Sequence, residues 1–389
     1  MVYNIVILGG NFAGASTAHY LLRHVLPLLD STDSKATYKV TLVSPSDHTF
    51  FKVGAPRALM AGSKTDLLKP FTSLPEAFAS YPTSTFTFIL GSAIGLDEKT
   101  QTVTIKTEKE ETLHYDSLII ATGTSSKSAL WTLHTGGFQE TTAAFEDLNS
   151  RLATAKTILV AGGGPAGVET TGEISYKYKN QGKTIEILSG TTQLLTRLRH
   201  AGVSKAAEHQ LAALGVKTVH NLRVASTSEI AGGKTEVVLS DGSKKTVDLY
   251  IDATGGSPNS SFLPPSWLNS QKMVTADAPT LRTPQKNIYA IGDVASFSLG
   301  NVPDSIWAIP ALGYSVYSDL TGGKGTGLKE KKYKQITASM GVVPIGPKGG
   351  VGVIFGWRVP SWFVWLMKSR TFMLEKAAGV ASGDSVQKA

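Results

Sequence analysis

Residues 157–173 read TILVAGGGPAGVETTGE, and this stretch decides the fold. An apolar run of strand length, 157–161, passes directly into glycine. Gly162, Gly164 and Gly167 then stand at the G-x-G-x-x-G spacing. The first glycine makes a tight turn, the second lets a pyrophosphate approach the backbone, and the third lets a helix pack closely on the strand. The helix that follows points its first N–H groups at the phosphates. The pattern predicts a strand over 157–161, a helix over 168–178 and a second strand over 184–189, which is a βαβ unit with a dinucleotide at its turn.

The same order occurs earlier in the chain. Residues 3–14 read YNIVILGGNFAG, a strand running into Gly9, Gly10 and Gly14, with Asn11 where the second glycine of the spacing is expected. Gly10 keeps the turn flexible, and Asn tolerates left-handed backbone better than other non-glycine residues. A helix over 13–29, a polar insertion at 30–36 and a strand over 39–44 complete the unit. Each half closes on a buried strand ending in ATG, DSLIIATG at 116–123 and DLYIDATG at 248–255. Short alternating strands are expected at 85–90 and 101–107 in the first half and around 236–239 in the second. This internal repeat implies an α/β fold with two Rossmann-like dinucleotide-binding domains and one site in each. Beyond about residue 325, strand-like pieces (335–343 and 351–355) and the aromatic run WRVPSWFVWLMKSRTF at 357–372 suggest a small C-terminal α+β domain. The expected boundaries are 1–125 with 280–323 for the first domain, 126–279 for the second and 324–389 for the third.

Composition narrows the chemistry. The chain has 389 residues, 41% hydrophobic and 17% charged, which suits a globular protein of two or three domains. It contains no cysteine. A disulfide framework, a thiolate metal site and a redox relay through a thiol are thereby excluded. The eight histidines have no metal-ligand spacing, so no metal is expected. The apolar start at 5–8 is shorter than a signal peptide, and no run approaches the roughly 18 apolar residues of a membrane span. Val2 stands where N-myristoylation needs glycine. The expected setting is cytoplasmic or peripheral to a membrane, and not secreted. Residues 324–389 hold eleven Lys/Arg against three Asp/Glu, so the whole net charge of +8 belongs to the last sixth of the chain.

Neither βαβ unit ends in the acid that would bind ribose hydroxyls; Ser44 and Ser189 occupy those strand ends. In the second half no carboxylate repels a 2′-phosphate, and Arg197 and Arg199 lie a few residues downstream, which favours NADPH over NADH. The alternative is that both arginines are solvated surface charges. In IYAIGDVASF at 288–297, Asp293 follows a short strand and a glycine, placed to accept a hydrogen bond from a sugar-like hydroxyl.

With both glycine turns, both ATG segments and this aspartate in order, the chain resembles the pyridine nucleotide–disulfide reductase superfamily over nearly its full length. Within it the chain is similar to the apoptosis-inducing-factor-like branch, close to the ferroptosis-suppressor flavoproteins and their fungal relatives. APRAL at 55–59, GPKGGVGVIFGW at 346–357 and KSRTF at 368–372 carry the narrower likeness. The resemblance implies a glutathione-reductase-type arrangement with FAD in the first half and NADH or NADPH in the second. Gly9, Gly10, Phe12, Ala13 and Gly14 would line the FAD pyrophosphate, with Asn11 in the same turn and Arg57 paired to it. Thr122 and Gly123 would touch the FAD, and Asp293, with the adjoining Val294, would hold its ribityl chain. Gly162, Gly164, Pro165, Ala166 and Gly167 would cradle the nicotinamide nucleotide beside Gly255, and Glu169 would reach the nicotinamide edge. Lys368 would act near the acceptor, although the residues alone read it as a basic surface side chain. Asn11 and Ser44 depart from the pattern at the adenosine contacts, and Thr371 stands where the family often has an acid.

Without a thiol, the implied chemistry is hydride transfer from NAD(P)H to flavin and electron transfer to a diffusible acceptor, a quinone or oxygen. AIPALGYSVYSDL at 308–320, with Pro310 in its first turn, is expected to aim a helix N-terminus at the negative charge of reduced flavin. Trp307 is expected either as a wall of the acceptor pocket or as core. The tail aromatics, interspersed with Arg358, Lys368 and Arg370, suit a membrane interface from which a lipid-soluble quinone could enter. The alternatives are packing on the FAD domain and a homodimer contact. The leading expectation is an NAD(P)H:quinone oxidoreductase. A biosynthetic flavin enzyme acting on one metabolite competes with it, as does a redox-sensing or nucleic-acid-binding flavoprotein. Against the last, the basic run KEKKYK at 329–334 is short and no nucleic-acid motif accompanies it.

Overall fold

The structure is a computed structural model describing residues 2–32, 35–133, 137–386 and 388. Residues 33 and 34 of the expected polar insertion therefore lie outside the described residues. The first half lays down β1 (Val2–Leu8), α1 (Phe12–Tyr20), β2 (Thr37–Ser44), β3 (Phe86–Leu90) and β4 (Ser117–Ile120). The second repeats the scheme with β5 (Thr157–Ala161), α2 (Pro165–Lys177), β6 (Thr184–Ser189), α3 (Ala201–Ala213), β7 (Val216–His220) and β8 (Leu249–Asp252). The chain then returns, and β9 (Ile288–Ala290) joins β4. The result is two parallel sheets, β9-β4-β1-β2-β3 and β7-β6-β5-β8. Their central strands are buried on both faces, which is why they read as continuous apolar runs.

Local differences from the sequence reading have physical causes. α2 begins at Pro165, three residues before the expected start, because a proline without an N–H is well placed in a first helical turn. α1 does not run on regularly; it passes through a π turn at Leu21–Val25 before continuing as Leu26–Thr32. The strand expected at 85–90 is the edge of the first parallel sheet. A separate antiparallel sheet holds Ser92–Asp97, Thr102–Lys106 and Glu110–His114. The second half carries its own counterpart, Val224–Ile230, Lys234–Leu239 and Lys244–Val247. The segments that follow the two ATG turns pair with each other, Thr124–Ser126 antiparallel to Gly256–Pro258, and tie the halves together.

One core joins the first sheet to α1 and to α4 (Ile309–Leu320), where the Tyr20 ring lies on Gly313. A second joins the second sheet to α2 and α3 and takes in Val343, Ile345, Val351 and Val353 from the tail. The tail sheet of β10 (Gly341–Pro344), β11 (Gly350–Ile354) and β12 (Trp357–Val359) thus shares the core of the second half. Gly172 of α2 is the contact point, since a side chain there would strike the Ile345 backbone. Residues 335–340, expected as strand, form no ladder; the Gln335 amide instead bonds Phe297 O and Asp304. After β12 come helical Ser361–Val364, a π turn at Trp365–Ser369 and, in the final segment, helical Ala377–Ala381 with a tight turn at Asp384–Val386. This final segment is fastened to α1 and its π turn. His19 Nε2 meets Ala381 O at 2.8 Å, Arg23 donates to the carbonyls of Ser382 and Gly383, and His24 Nε2 meets Val386 O at 3.0 Å.

Candidate active site at the junction of the halves

The two glycine turns are built alike. Gly9 (φ +109°) and Gly162 (φ +126°) have left-handed backbone, and a Cβ on either would strike a carbonyl oxygen, Ala121 O and Ala253 O respectively. Those alanines belong to the two ATG segments. Gly14 and Gly167 in turn face the carbonyls of Gly9 and Gly162 so closely that a methyl cannot enter. Gly10 and Gly163 rest on Ser44 and Ser189, the residues that replace the expected acids. Both serines are buried, with Ser44 Oγ donating to Ser46 O at 2.7 Å and Ser189 Oγ to Gln193 O at 3.1 Å.

Asn11 does not use the left-handed conformation that asparagine tolerates. Its backbone is extended (φ −91°, ψ −164°) because its amide pairs with the Phe50 backbone both ways, Nδ2 to O at 3.2 Å and Oδ1 from N at 3.1 Å. So occupied, Asn11 offers α1 no side-chain cap. Nor do α2, preceded by Gly164, and α4, preceded by Ala308, have one. The first turns of α1 and α2 therefore leave N–H groups for dinucleotide phosphates, and the uncapped start of α4 has the dipole sign that suits a reduced flavin. Phe12 and Ala13 form the first turn of α1, Pro165 and Ala166 that of α2, and Pro310 lies in that of α4. Beside Gly123, Gly164 and Gly255 an added Cβ would meet nothing within 4 Å. These cradles fit FAD in the first half and a nicotinamide nucleotide in the second.

The turn at Gly292 (φ +77°) sits directly over the start of α1, where a Cβ would lie 3.0 Å from that of Ala13. Asp293 is thereby brought to the first cradle, its Oδ2 accepting from Lys52 Nζ at 2.8 Å, with Val294 buried behind it. Thr122 is locked to Asn259, donating to its carbonyl at 2.6 Å and accepting from its amide at 2.8 Å.

The most constrained part of the site lies where α2 meets the tail. Glu169 and Glu173, one turn apart, are both buried. Lys368, only 9% exposed, donates to Glu169 Oε1 at 2.5 Å. It is therefore not a surface lysine. Arg57 grips Glu173 with two parallel hydrogen bonds, Nε to Oε2 and Nη2 to Oε1, and also donates to the carbonyls of Ser369 (2.9 Å) and Arg370 (3.3 Å). The Phe372 ring lies under both cations, 4.8 Å from the Arg57 guanidinium carbon and 5.5 Å from Lys368 Nζ. Arg57, expected at the FAD pyrophosphate, has every guanidinium nitrogen engaged here. A buried carboxylate at 173 needs a fixed counter-ion, and the planar fork of arginine meets that need. Burial pushes the Glu169 carboxyl up from its ordinary value, the Lys368 ammonium opposes this, and Glu173 adds to it. Burial likewise raises Glu173 against the pull of Arg57.

Trp307 is 55% exposed and is no core residue. With Pro310, Lys331, Lys332, Tyr333 and Lys334 it lines a cleft of about 330 Å³. Arg197 and Arg199 are exposed, and Arg197 extends towards Gly300. Sequence reasoning missed Arg223, whose side chain lies on Gly190, immediately beyond Ser189. Nothing local signals it, because strand order alone brings it there. Glu173 was also missed, although its spacing of four from Glu169 within one helix was visible. In the tail, Phe355, Trp357, Trp362, Trp365, Leu366 and Met367 are exposed, whereas Phe372 is fully buried. No helix among the described residues is long and apolar enough to cross a membrane.

Comparison with known proteins agrees with this construction. The family model described as pyridine nucleotide-disulphide oxidoreductase matches residues 3–308. Oxidoreductase phnG of Penicillium herquei is 35% identical, with 98% of this chain and 96% of its own length aligned. Ferroptosis suppressor protein 1 of Xenopus tropicalis is 26% identical over 96% of this chain and 94% of its own. In three dimensions the chain is similar to the sulfide:quinone oxidoreductase of Aquifex aeolicus, with a TM-score of 0.72 and 16% identity over 97% of this chain and 92% of that one.

Proposed function

The chain belongs to the pyridine nucleotide-disulphide oxidoreductase family and is an FAD- and NAD(P)H-dependent oxidoreductase; from that premise we propose that its electrons pass from NAD(P)H through the flavin to a quinone-type acceptor. One observation carries the choice of acceptor. The π turn Trp365–Ser369 holds Lys368 inward on Glu169 and leaves Trp365, Leu366 and Met367 in solvent. A single element thus joins the buried junction to an apolar surface, an arrangement that suits an apolar acceptor. The absence of cysteine removes the disulfide and thiol routes.

Bound FAD supplies the redox chemistry, accepting hydride from the nicotinamide and releasing the electrons to the acceptor. The residues of the chain bind, orient and handle protons around it. The turns at Gly9 and Gly162 would hold the two pyrophosphates at uncapped helix starts. The N-terminus of α4 would favour negative charge on the reduced ring. Lys368 donates to Glu169 at the buried junction, and this pair would handle the proton there. We assign NADPH as the donor, because Ser189 places no carboxylate at the strand end and Arg223 lies beside it. The exposed aromatic face, in a tail that carries the whole net charge of +8, is assigned to the surface of an anionic membrane.

The test is anaerobic reduction by NADH and by NADPH, followed at the flavin absorbance bands, then reoxidation with a short-chain quinone. Faster bleaching by NADPH and prompt recovery with quinone are expected. Bleaching that quinone cannot reverse would refute the acceptor. A second reading, a single dedicated metabolite as acceptor, competes with this one. Reoxidation confined to one compound among varied quinones would select it.

A further inference from the structure

We propose that Arg57 and Glu173 form a positioning pair that sets the Lys368–Glu169 contact, and that Arg57 does not serve the FAD phosphates. The inference rests on the reading of Glu169 and Lys368 as the proton-handling pair beside the flavin and nicotinamide.

Three observations converge on it. First, Glu169 and Glu173 project from adjacent turns of α2, so whatever fixes one side chain and its partner also fixes the setting of the other. Second, the donors that Arg57 does not spend on Glu173 go to Ser369 O and Arg370 O, the two carbonyls that follow Lys368. Arg57 therefore fastens the segment carrying the lysine onto the helix carrying the glutamates. Third, that segment is strained and needs fastening. Phe372 and Met373 are consecutive non-glycine residues in left-handed backbone (φ +52° and +57°), a conformation that persists only when its surroundings impose it. The Phe372 ring, held under Arg57 and Lys368, and the bond from Phe372 N to Lys368 O at 2.6 Å supply part of that constraint. Met373 packs beside Phe12 and Phe51, and Arg57 adds its two carbonyl bonds while reaching Glu173 across 116 residues of sequence.

The fork geometry is specific to arginine. A lysine at 57 would keep the charge opposite Glu173 but could not bond the carboxylate twice and reach both carbonyls. The charged groups facing Glu169 are Lys368 and Glu173, with Arg57 acting through Glu173. Neutralising Glu173 removes a negative charge that raises the Glu169 carboxyl, so the pH limb governed by Glu169 moves to lower pH.

The experiment uses the FAD-loaded full chain and its variants Arg57→Ala, Arg57→Lys, Glu173→Gln and Lys368→Met. Bound FAD per chain is measured, together with the pH dependence of anaerobic flavin reduction by NADPH. All four are expected to retain FAD. Arg57→Ala and Glu173→Gln should slow reduction about ten- to hundredfold, the scale of a displacement near 1 Å at a reacting group. Arg57→Lys should recover only part of that loss, and Glu173→Gln should shift the acidic limb downwards. Loss of FAD in Arg57→Ala, alongside full FAD and an unaltered pH profile in Glu173→Gln, would identify Arg57 as a phosphate ligand and overturn the proposal. Unchanged reduction in every Arg57 and Glu173 variant would overturn it equally. Should Arg57→Ala fail to fold, the near-isosteric Glu173→Gln decides by its profile alone. Wild-type reduction by Lys368→Met would instead sink the reading beneath the proposal, and is distinguishable because it does not involve Arg57.

Discussion

His19 shows how much a single buried side chain can fix. It is fully buried on α1, stacked on Phe78 with ring centres 4.0 Å apart, and it bridges Ala381 O and the Tyr81 hydroxyl at 2.8 and 3.0 Å. A neutral ring meets both partners, with Nε2–H donating to the carbonyl and Nδ1 accepting from the phenol. Burial, aided by the neighbouring Arg23, holds its pKa down at about 4, against 6.5 in an unconstrained histidine. The unfolded chain therefore takes up a proton here more readily than the folded one. Stability should fall as the pH drops from about 6.5 to about 4, by up to about 3 kcal/mol from this group. Denaturant titration across that window would show the slope, and His19→Phe should flatten it whatever its baseline cost. A wild-type profile without the slope would count against this account. The sequence showed eight scattered histidines and excluded a metal spacing, but could not disclose that one of them fastens the C-terminal segment to the first helix. That contact spans 362 residues.

Among elements, those that carry a period or a fixed spacing were legible. β5 and β6 fall on the expected residues, and both glycine turns lie where the motif put them. The π turns at Leu21–Val25 and Trp365–Ser369 were not legible, since one extra residue in a helical turn leaves no mark on apolar periodicity. Yet they present Arg23 and His24 to the last segment and Lys368 to the junction. The turn at 162–167 also separates two roles that its spacing merges. Gly164 has ordinary backbone (φ −81°) and open space beside it, whereas Gly167 abuts the carbonyl of Gly162. Gly164→Ala should accordingly leave thermal stability intact and weaken nicotinamide nucleotide binding on the order of tenfold, about 1.4 kcal/mol, by obstructing the pyrophosphate. Gly167→Ala should prise α2 from its strand and yield insoluble or unfolded protein. Melting curves and nucleotide titration of the two variants separate these outcomes. Equal stability in both would refute the steric argument.

At the scale of the whole molecule, the repeated halves were readable because each repeats the same grammar, but the junction between them was not. The contacts that build it join residues 116 and 199 positions apart, and no local pattern reports such pairs. The tail makes sense only at this scale. Its sheet spends its apolar inner face on the core of the second half. Phe355, Trp357, Trp362, Trp365, Leu366 and Met367 stay in solvent, within the last sixth of the chain, whose charges sum to the whole net +8. Aromatic rings at headgroup depth, with basic residues each worth about 1 kcal/mol near an anionic surface, would hold this face on a bilayer. The full chain should therefore co-sediment with vesicles containing phosphatidylserine, less so at high salt and much less with neutral vesicles. The combined Trp357→Ser, Trp362→Ser and Trp365→Ser variant should lose the vesicles while keeping its FAD and its reduction by NADPH. Its turnover with a long-chain quinone embedded in vesicles should fall, and turnover with a soluble short-chain quinone should not. Equal losses with both quinones would mean that these rings support the fold, and no sedimentation of the unaltered chain would remove the bilayer from the account altogether.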